Sequence, residues 1–169
     1  LTENCMHVER VCSIDEWACA LTGRWREENK ALELARLIKA RLAEFSPVLR
    51  CSIGLAPNRW LAKVGSDMRK PDGLMLIREG DLPGVFKGMK PVELCGIGRR
   101  MSDRLDYYGI DSVEKLYALP REHMRVIWGG VPGERFFGEF QVFFFEGFQD
   151  LPVFHVREFV VVHVGLSLS

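Results

Sequence analysis

Residues 49–77, LRCSIGLAPNRWLAKVGSDMRKPDGLMLI, change their hydrophobic period twice within one short block. Leu49–Pro57 is a nearly continuous apolar run, the pattern of a buried strand. Asn58 stands where a helix N-cap belongs, because its side-chain oxygen can accept one of the backbone N–H groups that a helix start leaves unpaired. From there to about Lys70 the apolar stripe Leu61, Val64, Gly65 and Met68 keeps helical spacing, and Arg59, Lys63 and Lys70 lie opposite that stripe. "KPDG" is a turn signal, and the residues up to Ile77 read as a short strand. Strand, helix and strand in such a block predict a helix with a cationic outer side laid on a sheet.

Upstream, Ala31, Leu34, Ala35, Ile38, Leu42 and Phe45 mark an amphipathic helix between Glu27 and Phe45. Glu27 and Glu28 suit its positive N-terminal end, and Ser46-Pro47 stops it. Before it, β-branched, aromatic and Cys residues over His7–Ile14 and Trp17–Leu21 predict two strands meeting at a corner occupied by Asp15 and Glu16. The order β, β, α, β, α, β predicts an α+β fold, a mixed or antiparallel sheet with helices packed on one face. After Ile77 the strand patterns stop. Helical patterns broken by Gly and Pro follow at about Asp81–Met89, Arg99–Tyr108, Ser112–Leu119 and Arg121–Trp128, so a boundary is expected at residues 77–78.

The last part of the chain differs in kind. Nine of the eleven Phe fall between Phe136 and Phe159, and Val160–Val164 sets four Val around His163. Residues 134–169 therefore read as an atypical Phe- and Val-rich tail, a linker or the start of a further domain, although Pro132–Phe140 keeps an amphipathic helical pattern. No internal repeat is present.

The 169 residues, 47% hydrophobic and 27% charged, suit one ordinary globular domain or two small ones. No apolar run is long enough to span a bilayer, and the chain, opening mid-pattern at Leu1, reads as a cytoplasmic piece of a longer protein with no membrane partner. Five Cys without a C-x-x-C spacing and four scattered His signal neither a disulfide framework nor a zinc site. Net charge is zero, with 23 basic and 23 acidic residues, and gives no global sign of a nucleic-acid partner.

Three stretches carry chemistry. In "SIDE" the adjacent Asp15 and Glu16 reach one ion only if the strand bends or ends between them, since neighbouring strand residues face opposite ways. Magnesium, a hard cation shared with substrate phosphates, suits such a pair, and solvated acids at a strand end are the plain alternative. Arg59, Lys63 and Lys70 beside the helix start at Asn58 suit a triphosphate, or else form a solvated basic surface. No G-x-x-x-x-G-K-[ST] loop exists, which excludes a P-loop nucleotide site. In "VELCGIGRRMSDRL" (Val92–Leu105), Gly96 and Gly98 around Ile97 permit the tight turn of a helix-hairpin-helix. Its backbone N–H groups reach nucleic-acid phosphates without reading bases, and Arg99, Arg100 and Arg104 add charge attraction. A plain helix–helix turn is the alternative.

Together, "SIDE", "CSIGLAPNRWLAKVGSDMRKPDGLMLI" and "ELCGIGRRMSDRLDYYGIDSVEKL" resemble the Y-family DNA polymerases, the translesion enzymes of the UmuC and DinB-like groups, from about Val8 to Gly133. The resemblance implies a partial ferredoxin-like palm over residues 1–77 and a small all-helical thumb with a helix-hairpin-helix over 78–133. It assigns two catalytic magnesium ions to Asp15 and Glu16, the incoming dNTP to Lys63 with Arg59 beside it, and primer-template DNA to Gly96, Ile97, Gly98, Arg99 and Arg100. The implied function is template-directed DNA synthesis past lesions in DNA repair, close to the bacterial nucleoid, with a sliding clamp engaged through regions outside the chain.

Trp17 departs from the small residue that commonly follows the Glu in that family. The family's first motif, a strand with another metal-binding Asp, and the fingers are expected upstream of Leu1. The chain by itself is therefore expected not to extend primers. Two rivals stand beside this reading. One is a non-catalytic DNA-binding accessory module of a repair complex. The other, segments of an unrelated metabolic enzyme, requires all three motifs to be coincidental.

Overall fold

The structure, a computed structural model, describes residues 10–129 and 159–166. The expected helix over Pro132–Phe140 and most of the Phe-rich segment lie outside the described residues. The chain divides into two compact units, one running up to Arg78 and joined by the C-terminal strand, the other beginning at Glu79. Among the described residues no helix is long and apolar enough to cross a membrane.

The first unit is built on a five-stranded mixed sheet. Its strands are β1 (Arg10–Val11), β2 (Glu16–Ala20), β3 (Leu49–Ala56), β4 (Leu74–Leu76) and β5 (Phe159–Leu166), in the spatial order β1-β2-β5-β3-β4. β3 and β4 run parallel, and every other neighbouring pair is antiparallel. α1 (Glu28–Phe45) joins β2 to β3, and α2 (Arg59–Met68) joins β3 to β4. The elements read from the 49–77 block are present, with the Asn58 side chain accepting from Leu61 N–H at 2.7 Å as a helix cap.

Two expectations are corrected here. Residues 159–166 are not part of a tail: β5 is the central strand, pairing Phe159–His163 with β2 along one side and Phe159–Leu166 with β3 along the other. Val160, Val161 and Val162 are essentially inaccessible. Burying a valine side chain is worth about 1.5–3 kcal/mol, so a run of three buried on both faces pulls this segment into the core.

Nor do the helices share one face. Cys51, Ile53 and Leu55 join Val160 and Val162 in a core with Ala31, Leu34, Ala35 and Ile38 of α1. Gly54, which points the other way, lies under α2, where a Cβ would come within 1.8 Å of the Ala62 carbonyl oxygen. The two helices therefore cover opposite faces. A strand buried on both sides shows no alternation, so its pattern could not say which face each helix takes.

The second unit is helical in its described part. Three 3₁₀ turns (Glu79–Asp81, Gly84–Phe86 and Pro91–Glu93) precede α3 (Arg99–Tyr107), α4 (Val113–Tyr117) and α5 (Arg121–Trp128). Asp81–Met89, read as a single helix, is broken by Pro83 and Gly84 into two of these turns. Phe86, Leu94, Ile97, Leu105, Val113, Leu116, Met124 and Ile127 form its buried interior.

Candidate functional site

The acidic corner forms because β1 ends and β2 begins within four residues. Cys12 N–H and Ser13 N–H both donate to the Glu16 carbonyl, at 2.8 and 3.0 Å, which closes a tight bend and leaves Asp15 at its tip. Glu16 is the first residue of β2, and Val164 N–H donates to the Asp15 carbonyl at 2.8 Å, pinning the bend to β5. The strand thus ends between the two acids, the condition for both carboxylates to serve one site.

Lys63 reaches this corner from α2. Its ammonium pairs with Glu16 and, at 3.0 Å, with Asp67 one helical turn further along. Lys70 pairs with Asp67 at 2.7 Å. Burial by itself would push the Lys63 ammonium down, but hydrogen bonds to Glu16 and Asp67 outweigh it and hold the group above the ordinary lysine value of 10.5. The Asp15 carboxyl sits below its ordinary 3.8, chiefly because the Ser13 hydroxyl donates to it, with His163 and Lys70 adding positive charge nearby. Arg59, the first residue of α2, takes no part in the ion pairs of the corner.

His163 is the residue that motif reading missed. It lies opposite Glu16 across the β2/β5 pairing and opposite Ser52 across β3/β5. Its Nε2 is 3.6 Å from Asp15 Oδ2 and its Nδ1 is 3.5 Å from Glu16 Oε2. The alternation around His163 in "VVVHV" was a strand signal, but nothing local says that this strand runs beside Glu16. Asp67 was missed as well, although its position four residues after Lys63 was visible.

The hairpin of the second unit has its own geometry. Gly96 adopts φ +90°, a left-handed conformation that side chains disfavour, and Gly98 caps α3. Ile97 is buried and its N–H donates to the Leu94 carbonyl at 3.1 Å, so the turn is anchored between its two glycines. Arg99 and Arg100, exposed in the first turn of α3, follow directly. The element before the turn is the single 3₁₀ turn Pro91–Glu93, shorter than the helix that a full helix-hairpin-helix would place there.

The profile of the impB/mucB/samB family (IMS) matches residues 1–67. DNA polymerase IV of Bacillus velezensis is 37% identical over 123 residues, which is 73% of this chain and 29% of that protein. DNA polymerase IV 1 of Bacillus subtilis is 33% identical over 117 residues, 69% of this chain and 28% of that one. The solved structure of DinB from Sulfolobus solfataricus superposes with a TM-score of 0.67 at 27% identity, covering 83% of this chain and 43% of its own. The chain belongs to the Y family of DNA polymerases. It spans less than a third of the length of these two curated relatives.

Membership in the Y family brings with it an expected metal centre, and the corner can be tested for it. Asp15 and Glu16 are the hard oxygen donors that magnesium takes. Their oxygens, however, already have close neighbours: the Ser13 hydroxyl donates to Asp15, Lys63 pairs with Glu16, and the His163 ring lies 3.6 Å from Asp15 and 3.5 Å from Glu16. Among the described residues no three His, Cys, Asp or Glu side chains converge as metal ligands. In this arrangement the corner does not fit a two-ion centre.

Proposed function

We propose that this chain is part of a translesion DNA polymerase that extends a primer on damaged template DNA from dNTP substrates. The contact between Lys63 and Glu16 carries the reading, because it joins the basic helix and the acidic bend at one place, as a nucleotide site that pairs phosphates with cations requires. Lys63 would exchange its carboxylate partners for triphosphate oxygens when a nucleotide arrives. Arg59, at the start of the same helix, would meet the phosphates further out. The first unit would serve as the palm and the second as the thumb, with Gly96–Arg100 holding backbone phosphates of the primer-template. The sliding clamp and the two magnesium ions of the complete enzyme belong to the same proposal. In the complete enzyme Asp15 and Glu16 would take up those ions once Lys63 and the His163 ring give way, and the chain alone, with both carboxylates so occupied, is expected to be inactive in primer extension.

Primer-template binding tests the thumb assignment. The chain should bind DNA irrespective of sequence, with an affinity that falls steeply as salt rises. Replacing Arg99 and Arg100 together by Ala should reduce the slope of log affinity against log salt by about 2, because each arginine that neutralises a phosphate releases roughly one counterion. Absence of binding at low salt would remove the assignment. In the longer parent protein, Asp15→Ala and Glu16→Ala should abolish synthesis. Unchanged synthesis would instead favour a non-catalytic accessory module.

A further inference from the structure

The imidazole of His163 lies against both carboxylates of the corner. Nε2 faces Asp15 at 3.6 Å and Nδ1 faces Glu16 at 3.5 Å, and these nitrogens point out of different sides of the ring. Nδ1 is shielded from solvent and makes no hydrogen bond among the described residues. The Glu16 side chain is only 13% exposed and His163 only 22%, so neither swings freely into solvent. The backbone holds this placement through the Glu16–His163 pairing and the 2.8 Å bond from Val164 N–H to the Asp15 carbonyl.

Metal coordination sets the contrast. A magnesium or manganese ion shared by Asp15 and Glu16 needs an oxygen of each within about 2.0–2.2 Å. The ring lies within 3.6 Å of an oxygen of each, and Glu16 also carries the Lys63 ammonium. We propose that His163 is a built-in occupant of the acidic corner: the strand that completes the sheet also closes the corner to divalent cations, with the Lys63 ammonium as a second occupant. The proposal rests on the reading of Asp15 and Glu16 as a cation-binding pair and deepens it, because it makes ion entry conditional on displacement of one side chain.

Manganese titration of the isolated chain, followed by calorimetry and by the paramagnetic resonance of free Mn²⁺, tests this without DNA or turnover. The native chain should show weak binding, and His163→Ala should bind one Mn²⁺ about tenfold more tightly, the size of removing one competing polar contact. His163→Asn, which keeps a polar side chain of similar reach and lacks the ring, should gain less. It also serves where the alanine variant fails to fold, as judged by circular dichroism. Adding Asp15→Ala to His163→Ala should abolish the gain. Equal affinity in the native and His163 variants overturns the closure. Tighter binding by the native chain than by the variants also overturns it and makes His163 a ligand. If the Asp15→Ala addition leaves the gained binding intact, the ion binds elsewhere, and the reading of the corner as a cation site fails with it.

Discussion

In the sheet unit the core is assembled from distant parts of the chain: Val161 lies between Ala18 of β2 and Gly54 of β3, and those two strands meet only through β5. In the helical unit the interior residues Leu94, Ile97, Leu105, Ile110, Val113 and Leu116 follow one another closely along the chain. Its ties span far less chain than those of β5, such as Val113 N–H to the Met89 carbonyl at 3.0 Å and Gly88 N–H to the Glu114 carboxylate at 3.0 Å, 26 residues away. The sheet unit therefore depends on one element from far along the chain, whereas the helical unit spreads its stability over several contacts of shorter span. Loop-closure entropy must be met before non-local pairing gives any return, so the two units should also differ in how abruptly they fail.

Deleting residues 159–166 should break the comparison most sharply. The sheet unit loses its central strand, both ladders and three buried valines, and it should lose its cooperative thermal transition, while the helical signal in circular dichroism persists in part. A truncated chain that melts cooperatively at the native temperature, with its strand signal intact, would show that β5 is dispensable. Next comes Gly54→Val. With the Ala62 carbonyl oxygen 1.8 Å from the position of a Cβ, α2 must lift from the sheet, at a cost of about 3 kcal/mol or more in denaturant unfolding. A cost under about 1 kcal/mol would mean that α2 is not seated on β3.

Helix caps compare the units on equal terms. Asn58 accepts from Leu61 N–H at 2.7 Å in the sheet unit, and Ser112 accepts from Lys115 N–H at 3.2 Å in the helical one. Each change to Ala should cost about 1 kcal/mol. The effect of Asn58→Ala should be lost when β5 is absent, and that of Ser112→Ala should remain, which calorimetry of the double variants would read.

The smallest effect expected is on pH. The carboxyl of Asp15 is held below 3.8 in the folded chain, so its contribution to stability is complete above that value and is lost as pH falls through the depressed folded value. Asp15→Asn should therefore lower the melting temperature slightly at pH 6, and the native and variant curves should begin to approach each other near pH 3.8 and meet only below the depressed folded value. A difference that widens in acid would contradict the Ser13 and His163 interactions as its cause.

Much of the first unit was legible because its signals act over one turn or one strand. Asn58 as a cap, the stripe of Leu61 and Val64, and the stop at Ser46-Pro47 each involve neighbours in sequence, and each appears as expected. The bend at Asp15 was posed by the sequence as a condition and was met by hydrogen bonds to the Glu16 carbonyl. The pairing of Lys63 with Glu16 is of a different kind, since the two lie on separate elements and only the packing of α2 against the sheet brings them together. His163 was out of reach altogether: a valine-rich strand carries the same pattern wherever it pairs.

Spacing and residue type by themselves determined most of the helices and strands up to Trp128, the acidic corner, the basic side of α2 and the resemblance that led to the Y family. Tertiary structure alone decided that β5 fills the centre of the sheet, that α1 and α2 take opposite faces, and that His163 lies against both acids. The division has one physical cause. Periodicity and capping are local properties of the backbone, while strand order and the neighbours of a charge arise from pairing between segments whose separation along the chain leaves no mark on either one.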